Sequence, residues 1–139
     1  MAAPSDFNSK IIAEFRANGG TVGGPFAGSD ILLLHHTGAR TGAERISPLA
    51  FLRVGESFAV FASKAGAPEN PAWYHNLLAH PDTSVEVGTE TLGVRARAAE
   101  PGERDVIWSR QKQRAPHFAK YEEKAAPRKI PVVLLDPVK

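Results

Sequence analysis

The hydrophobic positions of this chain follow a helical period in some stretches and a strand period in others. Residues 6 to 17 predict a first helix, because their apolar side chains recur three and four positions apart, at Phe7, Ile11, Ile12 and Phe15. This short amphipathic helix either packs on the domain or makes weak contact with a membrane surface, and packing on the domain is favoured. The glycine-rich residues 18 to 30 that follow predict a turn and a loop.

Six segments rich in apolar, β-branched and aromatic residues predict the strands of a sheet. They cover residues 31–36, 45–53, 57–63, 83–87, 90–98 and 130–135. Short polar turns join the second segment to the third and the fourth to the fifth, so both pairs are predicted to be hairpins. In the second hairpin, a two-residue turn at Gly88-Thr89 places Val85 opposite Leu92, an apolar pair that supports this register.

Three further helical stretches are predicted, each beginning at a proline. They cover residues 71–80, 101–113 and 116–124. Asn70 and Pro71 suit the cap and the first position of the earliest of these helices. The buried side of the 101–113 helix is predicted to carry Val106, Ile107 and Trp108.

Hairpins dominate this order of elements, and the chain shows no long strand–helix–strand alternation. The predicted fold class is therefore α+β, with a mostly antiparallel six-stranded sheet curled into a barrel and flanked by helices. One domain is predicted over residues 1–139, with an N-terminal helix and loop in 1–30 and the barrel core in 31–139. The absence of a GxGxxG motif disfavours a doubly wound dinucleotide-binding fold.

Composition narrows the classes of function. The 139 residues carry a net charge of +2, which gives no argument for nucleic-acid binding. The chain contains no cysteine, and this excludes disulfides, thiolate catalysis and cysteine zinc sites. No segment has the pattern of a secretory signal or the roughly 18 apolar residues of a membrane span, so a cytoplasmic location is expected. The five histidines lack metal-ligand spacing, and no GxSxG nucleophile motif occurs.

The stretch from Ala62 to Asn76 combines features that suit an anion. Lys64 follows the third predicted strand, Gly66 permits a tight turn, and the helix beginning near Pro71 exposes backbone N–H groups. One face of the third strand leads directly to Lys64 and is predicted to face a ligand through Ala59, Phe61 and Ser63. The alternative is an ordinary strand-to-helix connection with a solvated lysine.

A second cationic segment is the loop 37–42, which joins the first two predicted strands. It carries two glycines, Arg40 and Thr41, and Arg45 follows it. Glycines let the backbone approach a ligand closely, and an arginine fork matches phosphate or carboxylate oxygens. A solvated loop with a surface arginine is the alternative for this segment alone, whereas Arg40, Arg45 and Lys64 together predict a groove for an elongated polyanion.

Aromatic residues lie close to these cations along the chain. Trp73 and Tyr74 begin the helix after Lys64, and Phe118 and Tyr121 share one side of the last helical stretch. These side chains either cover a flat ring or belong to the core. A cationic groove with aromatic neighbours and no evident nucleophile favours a protein whose chemistry is supplied by a cofactor.

Four sequence segments are similar to those of a known family: LLLHHTGARTGAERISPLAFLR, FAVFASKAGAPENPAWYHNLLAHP, VEV and KIPVVLLDP. In this order, over residues 32–137, they resemble the deazaflavin-dependent nitroreductase family of actinobacteria. The most specific portion is SKAG followed by P.WY.NL, after a TG.RTG loop. The resemblance implies a split β-barrel of the flavin-reductase type and dependence on coenzyme F420 in its reduced form, F420H2.

The resemblance also implies roles for single residues. The coenzyme-binding residues are Arg40, Thr41, Arg45, Pro48, Phe61, Ser63, Lys64, Ala65, Gly66, Ala72 and Trp73. Among them, Arg40, Arg45 and Lys64 bind the phosphate and the oligoglutamyl tail, and the deazaflavin ring is lined by Pro48, Phe61, Ser63, Ala72 and Trp73. The substrate wall carries Phe118 and Tyr121, and Ser63, Tyr121 or bulk water supplies a proton.

The activity implied is an oxidoreductase reaction, a hydride transfer from F420H2 to an electron-poor small molecule such as a quinone, an enone or a nitroaromatic. The chain departs from the family pattern at Ala39, where a second basic residue is common, and at Ala50, Ala115 and Phe118, where some members carry aromatic hydroxyls. Three alternatives stay open: a non-catalytic deazaflavin carrier, an FMN- or haem-binding barrel protein, and an interaction module without a cofactor. The choice between monomer and homodimer is open as well.

Overall fold

The computed structural model describes residues 6–23 and 30–138, which contain six strands and four α-helices. The helices are α1 (Asp6–Ala17), α2 (Ala72–Ala79), α3 (Pro101–Arg114) and α4 (His117–Ala125). The strands are β1 (Ile31–Thr37), β2 (Glu44–Val54), β3 (Ser57–Phe61), β4 (Asp82–Val87), β5 (Glu90–Ala98) and β6 (Val132–Pro137). Each predicted element is present. However, β3 ends at Phe61, because a 3-10 turn over Lys64–Gly66 follows it, and β6 runs two residues later than predicted.

The strands close into a barrel in the order β1-β2-β3-β6-β5-β4, and each neighbouring pair is antiparallel. The predicted mostly antiparallel α+β barrel is therefore confirmed. Val85 pairs with Leu92, as the length of the turn between them indicated. The interior is filled by side chains, among them Leu34, Phe58 and Val60, so space for a sizeable ligand exists only outside the barrel or at one of its ends.

β1 is apolar on both faces because both faces are covered. Its outward residues Ile31 and Leu33 pack against the buried face of α1, formed by Ile11, Ile12 and Phe15. The first helix thus packs on the domain, and Arg16 Nη2 lies 2.8 Å from Glu86 Oε2 of β4. The side chain of Phe7 and part of the predicted 18–30 loop lie outside the described residues. Within the described chain, no helix has the length and apolar character needed to cross a membrane.

α3 and α4 cover the outward face of β3 and β6. Their buried residues join Phe61 in a second apolar cluster that includes Ile107, Trp108 and Phe118. The two helices are also tied by a hydrogen bond of 2.6 Å from Trp108 Nε1 to Glu122 Oε2. This cluster fixes the position of α4 relative to the end of β3.

The prediction that Val106 is buried is wrong, since its side chain is 64% exposed. Consecutive helical residues are about 100° apart, so the buried stripe of α3 runs at spacings of three and four. It continues from Ile107 and Trp108 to Gln111, and all three are buried. Val106 lies outside that stripe and faces solvent.

The predicted cap of α2 is also wrong. Pro71, not Asn70, is the N-cap residue, and it makes no side-chain capping bond. Asn70 Oδ1 instead accepts a hydrogen bond of 2.5 Å from Arg128. The Asn70 side chain therefore binds Arg128, which is distant in sequence, instead of capping α2.

Candidate functional site

A cleft of about 500 Å³ opens between the barrel and the helices that cover it. Part of its wall is formed by residues 47–51 of β2 and by the end of β3 with the turn after it. The remaining wall comes from the start of α2, the end of α3 and the first half of α4. The cleft exists because β3 stops at Phe61 and the chain turns sharply there.

Eight of the predicted site residues line this cleft. They are Pro48, Phe61, Ser63, Lys64, Ala65, Trp73, Phe118 and Tyr121. The remaining predicted residues do not form its wall, namely Arg40, Thr41, Arg45, Gly66 and Ala72. The structure therefore brings together residues from β2, β3, the turn after β3, α2 and α4, while it leaves two of the three predicted cations away from the wall.

Phe61 and Ser63 reach the cleft because they occupy the outward face of β3 and its extension. Phe58, Val60 and Ala62 alternate with them and fill the barrel. This division of the strand into a barrel face and an outer face is the one that the alternating pattern predicts.

The aromatic residues of the cleft also belong to the core. The centroid of the Phe61 ring lies 5.8 Å from that of Phe118 and 5.9 Å from that of Trp108. The ring centroids of Phe118 and Tyr121 are 5.2 Å apart. Such edge-on and tilted contacts are favourable aromatic arrangements. A rigid aromatic wall results. Tyr74, by contrast, packs against the barrel interior.

The turn after β3 holds an unusual backbone. Lys64 and Ala65 have φ angles of 47° and 52°, left-handed values that non-glycine residues rarely adopt. Strain of this kind persists where surrounding contacts hold it in place. Arg128 supplies those contacts, because its guanidinium donates five hydrogen bonds of 2.5–3.0 Å to the carbonyls of Ala62, Ser63 and Ala67 and to Asn70 Oδ1.

Gly66 stands behind the wall rather than in it. Its φ is +84°, and an added Cβ would lie 2.9 Å from the Tyr121 carbonyl oxygen and 2.8 Å from Lys124 Cβ. Only glycine allows the turn to approach α4 this closely. Gly66 thereby sets the distance between the Lys64 turn and the Tyr121 side of the cleft.

The Lys64 ammonium group is paired but not enclosed. Its Nζ lies 2.7 Å from Glu69 Oε1, and the two side chains are 45% and 63% exposed. The hydrogen bond from Lys64, together with its charge, holds the pKa of Glu69 below its ordinary value. Since an exposed ion pair contributes little free energy, an incoming anion can replace the Glu69 carboxylate at small cost.

A hydrogen-bonded chain that the sequence analysis missed ends in the cleft at Ser47. The Ala39 N–H donates to Asn76 Oδ1 at 2.9 Å, so Asn76 Nδ2 donates to His36 Nδ1 at 2.9 Å. The Nε2–H of His36 then donates to Ser47 Oγ at 2.9 Å. The Ser47 hydroxyl proton is left to be donated to a group in the cleft.

His36 is neutral in this arrangement. It is buried, and burial, followed by the charges of Arg45 and His35, lowers its pKa from 6.5 to about 4. A neutral ring agrees with an Nδ1 atom that accepts a hydrogen bond. Among residues 6–23 and 30–138, no group of three or more histidine and acidic side chains could hold a metal ion.

The two predicted arginines lie beside the Ser47 end of the cleft. Arg45 pairs with His36 in the β1–β2 register, and its buried Nε atom has no hydrogen-bond partner. Arg40 and Thr41 are exposed in the turn between β1 and β2, which the bond from Ala39 to Asn76 ties to α2. Neither arginine lines the cleft, so a role for them requires a ligand that extends beyond it.

α3 contributes residues that the sequence analysis did not single out. Gln111 is 3% exposed and lines the cleft with Arg114, which is ion-paired to Asp30. Gln111 was detectable from the sequence, because it lies three and four positions after Trp108 and Ile107 on the buried stripe. The His36 and Asn76 pairing had no such signal, since its partners are 40 positions apart.

Comparison with known proteins gives consistent matches. The model of a family described as F420H(2)-dependent quinone reductase matches residues 9–137. A Mycobacterium tuberculosis (strain H37Rv) protein named as an F420H(2)-dependent quinone reductase is 37% identical over 127 residues, which cover 88% of this chain and 85% of that protein.

Two solved structures are also similar. One, of an F420-H2 dependent reductase, is 36% identical with a TM-score of 0.69, covering 76% of this chain and 93% of that one. Another, described as a domain-swapped dimer, is 33% identical with a TM-score of 0.71, covering 96% of this chain and 100% of that one. Sequence and fold comparisons therefore point the same way.

Proposed function

Because this chain belongs to the F420H(2)-dependent quinone reductase family, we propose that it oxidises reduced coenzyme F420 and reduces a quinone in the cleft between β2, the Lys64 turn and α4. The observation that supports this proposal is the cleft itself, in which an aromatic wall adjoins a cation on a braced turn. Enones and nitroaromatics are further electron-poor acceptors that such a site could take.

The residues present fit a flat ring with an anionic tail. Pro48, Phe61 and Trp73 offer apolar surface to a ring, and the Lys64 ammonium group lies at the same cleft. The unpartnered Nε of Arg45 lies past the Ser47 end, where an extended phosphate-bearing tail would supply an acceptor. When bound, the reduced deazaflavin supplies the hydride.

Within this proposal, further coenzyme contacts come from the turns that flank the cleft. Arg40 and Thr41 would meet the tail on the β1–β2 turn, and Ala65 would offer backbone near the phosphate and ring. Gly66 and Ala72 do not line the cleft, so their part is to position the turn and the start of α2.

The chain itself orients the reactants and supplies hydrogen bonds. The Ser47 hydroxyl, which neutral His36 orients, would donate to a carbonyl oxygen or nitrogen of the bound ring. Ser63 is 9% exposed and Tyr121 is partly buried, and both line the cleft. Either hydroxyl can hydrogen-bond the quinone oxygen and pass it a proton. Holding donor and acceptor in near-attack geometry supplies several kcal/mol of rate acceleration.

A Lys64→Ala variant tests the coenzyme site. Loss of a charge-assisted bond should weaken F420 binding by about 1–3 kcal/mol, or roughly 5- to 150-fold in Kd, measured by fluorescence titration. Lys120→Ala, which removes an exposed lysine of α4 that does not line the cleft, is the matched control and should bind normally. Equal affinities for wild type and Lys64→Ala would contradict the proposed site.

Two assays separate the proposal from its alternatives. Steady-state oxidation of F420H2 in the presence of menadione distinguishes a reductase from a non-catalytic deazaflavin carrier, which would show no turnover. The absorption spectrum of the purified protein distinguishes an FMN- or haem-binding barrel protein, which would show the visible absorption bands of its bound cofactor. An interaction module would bind neither coenzyme nor quinone.

A further inference from the structure

Gln111 presents a buried amide oxygen that the described part of the protein leaves without a partner. The side chain is 3% exposed, it lines the cleft, and its Oε1 atom makes no hydrogen bond. Within the described residues, the only other buried side-chain atom in this condition is Arg45 Nε. A buried acceptor without a donor is costly, and such groups are rare in native proteins.

The Gln111 amide occupies a position on the buried side of α3 where an apolar side chain is expected. It follows Ile107 and Trp108 on the buried stripe of α3, and both of those belong to the second apolar cluster. An apolar side chain there would complete the stripe and leave no unsatisfied oxygen. Because no donor among the described residues reaches this oxygen and Gln111 lines the cleft, we look for its donor in a molecule bound there.

The donor is better assigned to the electron acceptor than to the coenzyme. The residues proposed to hold the coenzyme lie on β2 and the end of β3, on the turns that follow β1 and β3, and at the start of α2. Gln111 lies near the end of α3, which leads directly into α4, the helix that carries the proposed substrate wall. A group near Gln111 therefore belongs to the molecule bound against that wall.

We propose that Gln111 is a specificity-determining residue that accepts a hydrogen bond from a hydroxyl group carried on a substituent of the quinone. This inference rests on the proposed function, because it names the class of acceptor that the reductase prefers. An apolar substituent of the same shape leaves Oε1 unsatisfied, so the cleft discriminates against it, as sites built around a buried polar group do. The selected substrates are hydroxyl-bearing quinones.

The test compares 2-(hydroxymethyl)-1,4-naphthoquinone with 2-ethyl-1,4-naphthoquinone, which have nearly the same shape and differ in the donor. Binding to the protein without coenzyme is measured by quenching of tryptophan fluorescence, because Trp73 lines the cleft, and kcat/KM is measured with F420H2. Wild type should favour the hydroxymethyl compound over the ethyl compound by about tenfold more than Gln111→Leu does. Comparing this ratio between wild type and Gln111→Leu cancels the difference in reduction potential between the two quinones, because that difference is the same for both proteins.

Controls separate a specific role from a general one. Gln113→Leu removes an exposed amide from the same helix and should keep the wild-type ratio, and Gln111→Met provides a second apolar replacement if the leucine variant folds poorly. F420 affinity should be unchanged in Gln111→Leu, and its thermal stability should equal or exceed that of wild type because an unsatisfied oxygen is gone.

Three results would overturn the inference: an unchanged ratio in both Gln111 variants, no preference of wild type for binding the hydroxymethyl compound, or a loss of F420 affinity larger than the loss of quinone affinity. Failure of the proposed function looks different. Wild type would then oxidise no F420H2 with either quinone, while the binding ratios would still show whether Gln111 selects the hydroxyl group.

Discussion

Arg128 is the residue whose replacement should most directly disturb the cleft without touching its wall. It uses all five N–H donors of its guanidinium, and it bridges four acceptors spread over residues 62–70. Those residues include the left-handed turn at Lys64 and Ala65. We expect Arg128→Lys to keep the charge but release part of this segment, since an ammonium group has three donors and no planar fork.

The magnitude follows from the bonds that are lost. Lysine forfeits at least two of the five bonds, and in this partly exposed setting each contributes about 1–1.5 kcal/mol. The left-handed backbone of Lys64 and Ala65 costs roughly 1–2 kcal/mol for each residue. The bonds that remain in the lysine variant must offset this cost if the turn is to keep its conformation. We therefore expect Arg128→Lys to lower the free energy of unfolding by about 2–3 kcal/mol, or Tm by roughly 6–12 °C for a domain of this size.

The assay combines urea denaturation with amide hydrogen exchange. Arg128→Lys should lose stability by the amount given, and the amides of residues 63–67 should lose protection more than those of β1 or β6. Arg95→Lys is the matched control, because Arg95 and its partner Asp82 form an ion pair with both side chains more than half exposed, and such pairs contribute about 0–1 kcal/mol. If the two lysine variants are equally stable and residues 63–67 stay protected, Arg128 does not brace the turn.

Two more predictions concern the supports of the cleft. Gly66→Ala should destabilise the protein by about 2–3 kcal/mol, because the added methyl group meets the Tyr121 carbonyl oxygen at 2.9 Å and alanine disfavours a φ of +84°. The control is Gly93→Ala, whose added methyl group has open space and which should be nearly neutral in thermal denaturation. Equal Tm values for the two variants would refute the argument. His36 has a pKa near 4 in the folded state against about 6.5 unfolded, so the unfolded state binds more protons between these values and stability falls as pH is lowered through that window. The loss should be about 2 kcal/mol between pH 7.5 and pH 5, measured by urea denaturation, and His36→Gln should lose this component; an unchanged slope in the variant would show that other groups cause it.

The sequence alone was enough for the elements and the type of fold. Helix and strand periods depend on neighbours within a few positions, so β1, α1 and both hairpins could be located from the order of apolar residues. The alternation along β3 also assigned Phe61 and Ser63 to the outward face that borders the cleft. At Val106 the helical period itself contradicts the prediction, because the buried stripe of α3 runs through Ile107, Trp108 and Gln111. Local rules failed at Asn70, where a tertiary hydrogen bond to Arg128 decided the outcome.

Tertiary structure alone decided which side chains meet in the site. Asn76 reaches His36 across 40 positions, and Arg128 reaches Ala62 across 66. No periodicity encodes such pairs, because they depend on how the barrel closes and where the helices pack. Sequence thus determined which surfaces are apolar and where the chain turns. The closed barrel determined that a braced lysine turn, an oriented serine and an unsatisfied glutamine lie around one cleft, because hydrogen bonds require distances that only the folded chain defines.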